Sequence, residues 1–161
     1  MIDTKTVEPS IGEIQGVIVT HLRTIPDERG CIYHGLRRSE VLYEIAEVYF
    51  KKLYIGVING WHVHNSMTLN YVTVYGLTKL ALVDLRMESA SYGKLMEVFC
   101  GEGNHCRVEI PPGVANASQA VAAPFSIFAN MPDREHDSTL KYMRIDPFNG
   151  FIKYEWFRKH Y

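Results

Sequence analysis

Apolar positions along the chain recur mainly with a period of two. Ile14, Gly16, Ile18 and Thr20 alternate with Gln15, Val17 and Val19, and β-branched or aromatic residues dominate such runs, as in strands with one buried face. Further strands are predicted at 69–75, 78–85, 95–100, 107–110 and 124–129, bounded by Gly, Pro, Asn or Asp. Residues 41–52, VLYEIAEVYFKK, fit helical as well as strand spacing and are read as strand. There is no long amphipathic helix, internal repeat or low-complexity tract, so the chain is predicted to be all-β: one antiparallel sandwich or barrel over residues 1–161, with few or short helices. The aromatic, basic tail FIKYEWFRKHY is expected to pack across the barrel surface or a subunit contact, with a frayed terminus as the alternative.

Composition narrows the class of partner. A 161-residue chain with 47% apolar residues can bury a real core. The net charge of −1, without a block of like charges, disfavours nucleic acid or an anionic membrane as partner and leaves a small polar molecule. Cys31, Cys100 and Cys106 form no C-x-x-C pair, and an odd number of cysteines suggests no disulfide framework, which points to a reducing cytoplasm. The start MIDTKTVEPS has no basic region followed by an apolar run, so secretion and membrane insertion are not expected.

The candidate chemistry lies in GVINGWHVHN at 56–65. On a strand, His62 and His64 project to the same side, where they can bind a metal, move a proton or pack. Gly56, His62-x-His64 and Gly76 resemble the first motif of the cupins, small jelly-roll β-barrels. Metal-binding cupins add a glutamate and a third histidine, and those places hold Thr68 or Leu69 and, after Pro111-Pro112-Gly113, Asn116. Neutral asparagine and leucine do not replace a carboxylate and an imidazole, so no metal is expected; a metal-dependent cupin using His62 and His64 is kept as an alternative.

Several ordered segments together resemble the dTDP-4-dehydrorhamnose 3,5-epimerase family. Asp27-Glu28-Arg29-Gly30-Cys31-Ile32-Tyr33 is similar to its D-x-R-G-x-F segment, and Asn59-Gly60-Trp61-His62 stands in the place of R-G-L-H. Val83-Asp84-Leu85-Arg86 with Ser89, Ser91 and Gly93 resembles V-D-I-R-x-x-S-x-x-x-G, and Ile110 to Asn116 resembles I-P-x-G-x-A-H. Pro132 to His136, followed by Asp146-Pro147, resembles the closing region.

The resemblance implies an RmlC-like cupin jelly roll, usually a homodimer, acting without cofactor on a nucleotide-linked 4-keto-6-deoxy sugar. Such chemistry needs a base beside the acidified carbon, a stabiliser for the enolate oxygen and an acid on the opposite face. By this resemblance His62 is the base and Asp146 its carboxylate partner, although Asp-Pro is also a common turn pair. Arg29 would contact the phosphates; its alternative is an ion pair with Asp27 or Glu28. The family's acid tyrosine is replaced by Asn130, its lysine by Leu69, its second histidine by Asn116 and the arginine of R-G-L-H by Asn59. Tyr71 and Tyr75, sharing the face of Leu69, are candidates for a displaced phenol or a sugar-stacking surface, and His64 for a second proton carrier. The expected function is therefore altered epimerase chemistry on a dTDP-4-keto-6-deoxy sugar; a cupin module that binds a sugar or metabolite without chemistry is the alternative.

Overall fold

A computed structural model describes residues 6–122, 124–137 and 142–156. Among these residues the chain forms strands β1 (Ser10–Ile11), β2 (Ile18–His21), β3 (Thr24–Asp27), β4 (Gly30–Tyr33), β5 (Tyr49–Tyr54), β6 (Ile58–His64), β7 (Leu69–Tyr75), β8 (Leu77–Asp84), β9 (Lys94–Gly101), β10 (Cys106–Ile110), β11 (Val114–Ala120), β12 (Phe125–Asn130) and β13 (Tyr142–Arg144), with a short 3-10 turn at Arg38–Glu40. A six-stranded sheet has the order β1-β9-β8-β11-β6-β13 and a five-stranded sheet the order β2-β10-β7-β12-β5, while β3 and β4 form a separate hairpin. None of the described helices is long and apolar enough to cross a membrane.

Two apolar layers explain this arrangement. Leu69, Tyr71, Val108 and Phe128 of the five-stranded sheet meet Leu80, Leu82, Val98 and Val114 of the six-stranded one, which makes the inter-sheet core. Ala81, Val83, Ala115, Ala117, Trp61, Val63 and Ile145 form a second cluster with Ile152 and Trp156, so the continuous apolar run of β8 is a strand buried on both faces. The tail therefore packs on the sheet through residue 156: Trp61 is fully buried, with its ring 5.3 Å from that of Trp156 and 5.7 Å from that of Tyr154. Truncating a buried aromatic costs about 3–5 kcal/mol, and this cluster fixes β6 from behind. Residues 157–161 lie outside the described residues.

The V-D-L-R segment is structural. Asp84 is wholly buried, with the Arg86 guanidinium on its two oxygens at 2.8 Å each and the Ser91 hydroxyl at 2.6 Å. Burial alone would raise its pKa, but the bonds from Arg86, Ser89 and Ser91 outweigh that and hold it at about 2.

The predicted strand at 69–75 is β7 as observed, and those at 78–85, 95–100, 107–110 and 124–129 shift by about a residue at their ends. Two readings need correction. Within 14–20 a turn falls at Gln15 and Gly16, the latter at φ +82°, so the strand begins only at Ile18. Within 41–52 burial alternates as in a strand, yet β5 starts at Tyr49 and the residues before it have no ladder partner. The alternation there reflects packing of one side of an irregular segment, whose Ala46 N–H donates to the Pro132 carbonyl at 2.9 Å.

Candidate active site

Strand β6 is aimed by a close approach to β11. Gly60, at φ +154°, sits so near Ala117 that a Cβ would stand 2.6 Å from the Ala117 Cα. Only glycine fits there. The ladder with β11 shifts register between Asn116 and Ser118, and such a bulge re-aims the side chains that follow it. Beyond it, Trp61 and Val63 enter the outer cluster while His62 and His64 face a cavity of about 190 Å³.

Two walls line that cavity. From the six-stranded sheet come Asn59, His62 and His64 of β6 with Tyr142 and Arg144 of β13. β13 lies antiparallel to β6 with Tyr142 opposite His64 and Arg144 opposite His62, and the Tyr142 ring stacks on His64 at 5.7 Å. From the five-stranded sheet come Tyr49 and Lys51 of β5, Tyr71 of β7 and Phe128 of β12. His136 closes one side, its ring edge-on to both Tyr49 and His64 and its Nδ1 against the Glu47 carboxylate.

Both strand histidines are held uncharged. Burial, reinforced by Arg144, Lys51 and His136, pushes His62 down to about 4; burial, with His136 and His62, does the same to His64. A neutral imidazole near neutral pH has a lone pair free to accept a proton. The ring Nε2 of His62 lies 3.4 Å from the Asn59 side-chain oxygen, so the residue in place of the expected arginine supports the imidazole.

The other expected site residues divide. Tyr71 enters the cavity wall, but it is buried and its hydroxyl donates to the Asn116 side-chain oxygen at 3.2 Å; burial raises its pKa strongly. Asn116 in turn donates to the His62 carbonyl at 3.0 Å, tying down the backbone that carries this imidazole. Asn130 is fully buried and donates from Nδ2 to the Tyr49 hydroxyl at 2.8 Å.

Three residues lie elsewhere. Asp146 is exposed and its carboxylate accepts the Phe148 N–H at 2.8 Å, the turn role that Asp-Pro allows, rather than meeting the His62 ring. Arg29, exposed at the β3–β4 turn, pairs through Nη2 with Asp27 at 2.5 Å and does not line the cavity. Tyr75 is half exposed, packs on Phe125, and lines a different, larger cavity of about 790 Å³ beside the β3–β4 hairpin. Among the described residues its lining includes His21 and His105 but no lysine or arginine, unlike the space around His62. Among the described residues, no cluster of three or more His, Cys, Asp or Glu side chains is arranged to hold a metal ion.

Sequence reasoning missed Tyr49, Lys51, His136, Tyr142 and Arg144 as cavity residues. The available signal was the period-two spacing of polar groups in Tyr49-x-Lys51 and Tyr142-x-Arg144, which puts each pair on one strand face.

The sequence profile of the dTDP-4-dehydrorhamnose 3,5-epimerase family matches residues 12–153. The chain belongs to this family. It is thus an enzyme of the dTDP-sugar epimerase type, built on the RmlC cupin jelly roll. Among family relatives it is 33% identical over 104 residues to the spore coat polysaccharide biosynthesis protein SpsL of Bacillus subtilis strain 168, covering 64% of this chain and 69% of that one. The dTDP sugar isomerase of Desulfovibrio desulfuricans G20 superposes with a TM-score of 0.84 at 28% identity, over 89% of this chain and 92% of that one. The fold also matches the epimerase RmlC of Legionella pneumophila Philadelphia 1, solved with dTDP-4-keto-L-rhamnose, with a TM-score of 0.77 at 18% identity over 88% of this chain and 78% of that one.

Proposed function

We propose that the protein removes a proton from carbon beside the ketone of a dTDP-4-keto-6-deoxy sugar, with His62 as the base, and that its stereochemical outcome differs from full 3,5-epimerisation. One observation carries the reading: an imidazole kept neutral by burial faces a cavity whose other charged groups, Lys51 and Arg144, are cationic. A neutral base can take the proton, and the cations suit a diphosphate or a developing enolate oxygen. Family membership supports the substrate class. The replacements at 59, 69, 116 and 130 support the altered outcome, because each removes an ionisable group that the family resemblance implies. In this reading the enzyme is a cytoplasmic homodimer that needs neither metal nor cofactor.

Proton exchange tests the assignment directly. With dTDP-4-keto-6-deoxyglucose in deuterated water, the wild type should incorporate deuterium next to the ketone, and His62→Ala should lose that exchange by roughly 10²- to 10⁴-fold. Exchange at an unchanged rate in the variant would overturn the role of His62. Ligand-dependent thermal stabilisation of the wild type without any deuterium uptake would instead identify a binding module.

A further inference from the structure

We propose that Tyr49 is the acid of this site, delivering a proton to the sugar face opposite His62. The inference rests on the reading of His62 as base. Its geometric ground is that the two side chains belong to different sheets: His62 projects from β6 of the six-stranded sheet and Tyr49 from β5 of the five-stranded sheet, into one cavity. Facing sheets stand about 10 Å apart, so a ring held between them presents one face to each wall.

The three phenols lining the cavity are not equivalent. Tyr142 lies on the base's own wall, stacked on His64. Tyr71 is on the far wall, but its proton is committed to Asn116 in a buried bond. Tyr49 differs because it accepts. Asn130 Oδ1 receives the Asn70 backbone N–H at 3.3 Å, which can only donate, so the Asn130 amide must turn its NH₂ towards the phenol oxygen. The Tyr49 hydroxyl therefore receives a hydrogen bond at 2.8 Å and keeps its own proton available for donation elsewhere.

That bond has a chemical effect as well. Burial raises the Tyr49 pKa and the Glu47 charge adds to this, while the hydrogen bond from Asn130 opposes the rise by favouring the phenolate. Asn130, which cannot itself exchange a proton near neutral pH, is thereby a positioning residue for the phenol directly across the strand pair, since Asn130 and Tyr49 are ladder partners. Lys51, two residues along β5, sets an ammonium on the same wall.

The step balances as follows. The substrate C–H bond breaks, its proton passes to a ring nitrogen of His62, and the electron pair delocalises into the enolate. The Tyr49 O–H then breaks and its proton forms the new C–H bond on the opposite face. The imidazolium releases one proton to water and the phenolate regains one, so the net reaction is inversion of one carbon.

The decisive variant is Tyr49→Phe, which keeps the ring packed on His136, assayed with dTDP-4-keto-6-deoxyglucose in deuterated water. Inverted product should fall at least a hundredfold, while exchange that retains configuration, which needs only His62, should stay within about threefold of the wild type. Inversion at the wild-type rate would overturn the proposal. Loss of inversion and exchange by the same factor would overturn it too, since Tyr49 would then act on binding or folding. Persistent exchange in His62→Ala would instead overturn the base, and with it the placing of Tyr49 on the opposite face, whatever the Tyr49→Phe variant shows. Absence of exchange in the wild type would overturn both readings.

Discussion

With His62 as the proposed base, its charge state sets the pH range in which this enzyme can work, and that range can be worked out in advance. A histidine in water has a pKa near 6.5, whereas burial and the neighbouring Arg144, Lys51 and His136 put His62 at about 4. At about pH 5.5 an ordinary histidine would be roughly one-tenth neutral, but one titrating near 4 would be roughly 97% neutral, a tenfold difference worth about 1.4 kcal/mol. Because kcat/KM reports the ionisation of the free enzyme, its acid limb should stay level from neutral pH to about 5 and fall only as pH approaches 4. The assay is the initial rate of deuterium wash-in at low substrate between pH 4 and 8. Arg144→Gln should move the acid limb upward, because one of the charges that disfavours the imidazolium is gone. A wild-type limb with its midpoint at 6 to 7 would refute the claim that the cavity keeps this ring neutral.

Two further predictions concern residues whose roles differ from first appearance. Asp84→Asn should lower stability by about 3–5 kcal/mol in urea unfolding, because it leaves the Arg86 guanidinium without its buried partner. For the wild type the sign is fixed by the depressed pKa: the contribution of Asp84 is complete above its unfolded value of 3.8 and is lost as pH falls towards about 2. Asp146→Asn should change deuterium exchange by less than about threefold, since its carboxylate caps a turn; a loss of a hundredfold or more would restore it as the partner of His62.

Much of the fold could be read in advance because alternation of side chains along a strand is a local property, and β6 shows it directly, with Trp61 and Val63 buried and His62 and His64 only partly so. The same rule failed at 41–48, where one side of an irregular segment is packed and alternation appears without a ladder. The site was half legible for a related reason. His62 and His64 are one strand step apart, so their common face follows from spacing. Tyr49 is joined to them only through the pairing of β5 with β12 and the facing of two sheets, relations between distant segments that no local spacing carries. Asn130 illustrates the same limit: as a letter it marks a missing phenol, and in three dimensions it holds another phenol in the cavity.

The strand bearing the imidazoles acquires all its neighbours late. Its ladder contacts are Ala115 against Val63 and Tyr142 against His64, and Trp156 covers Trp61 from outside. A nascent or truncated polypeptide ending before those segments would carry the whole GVINGWHVHN stretch and still possess no reaction chamber, because contacts of such separation form only after long loops close. Competence for chemistry should therefore arrive in one step, once the chain through Trp156 is in place, rather than growing in with each strand.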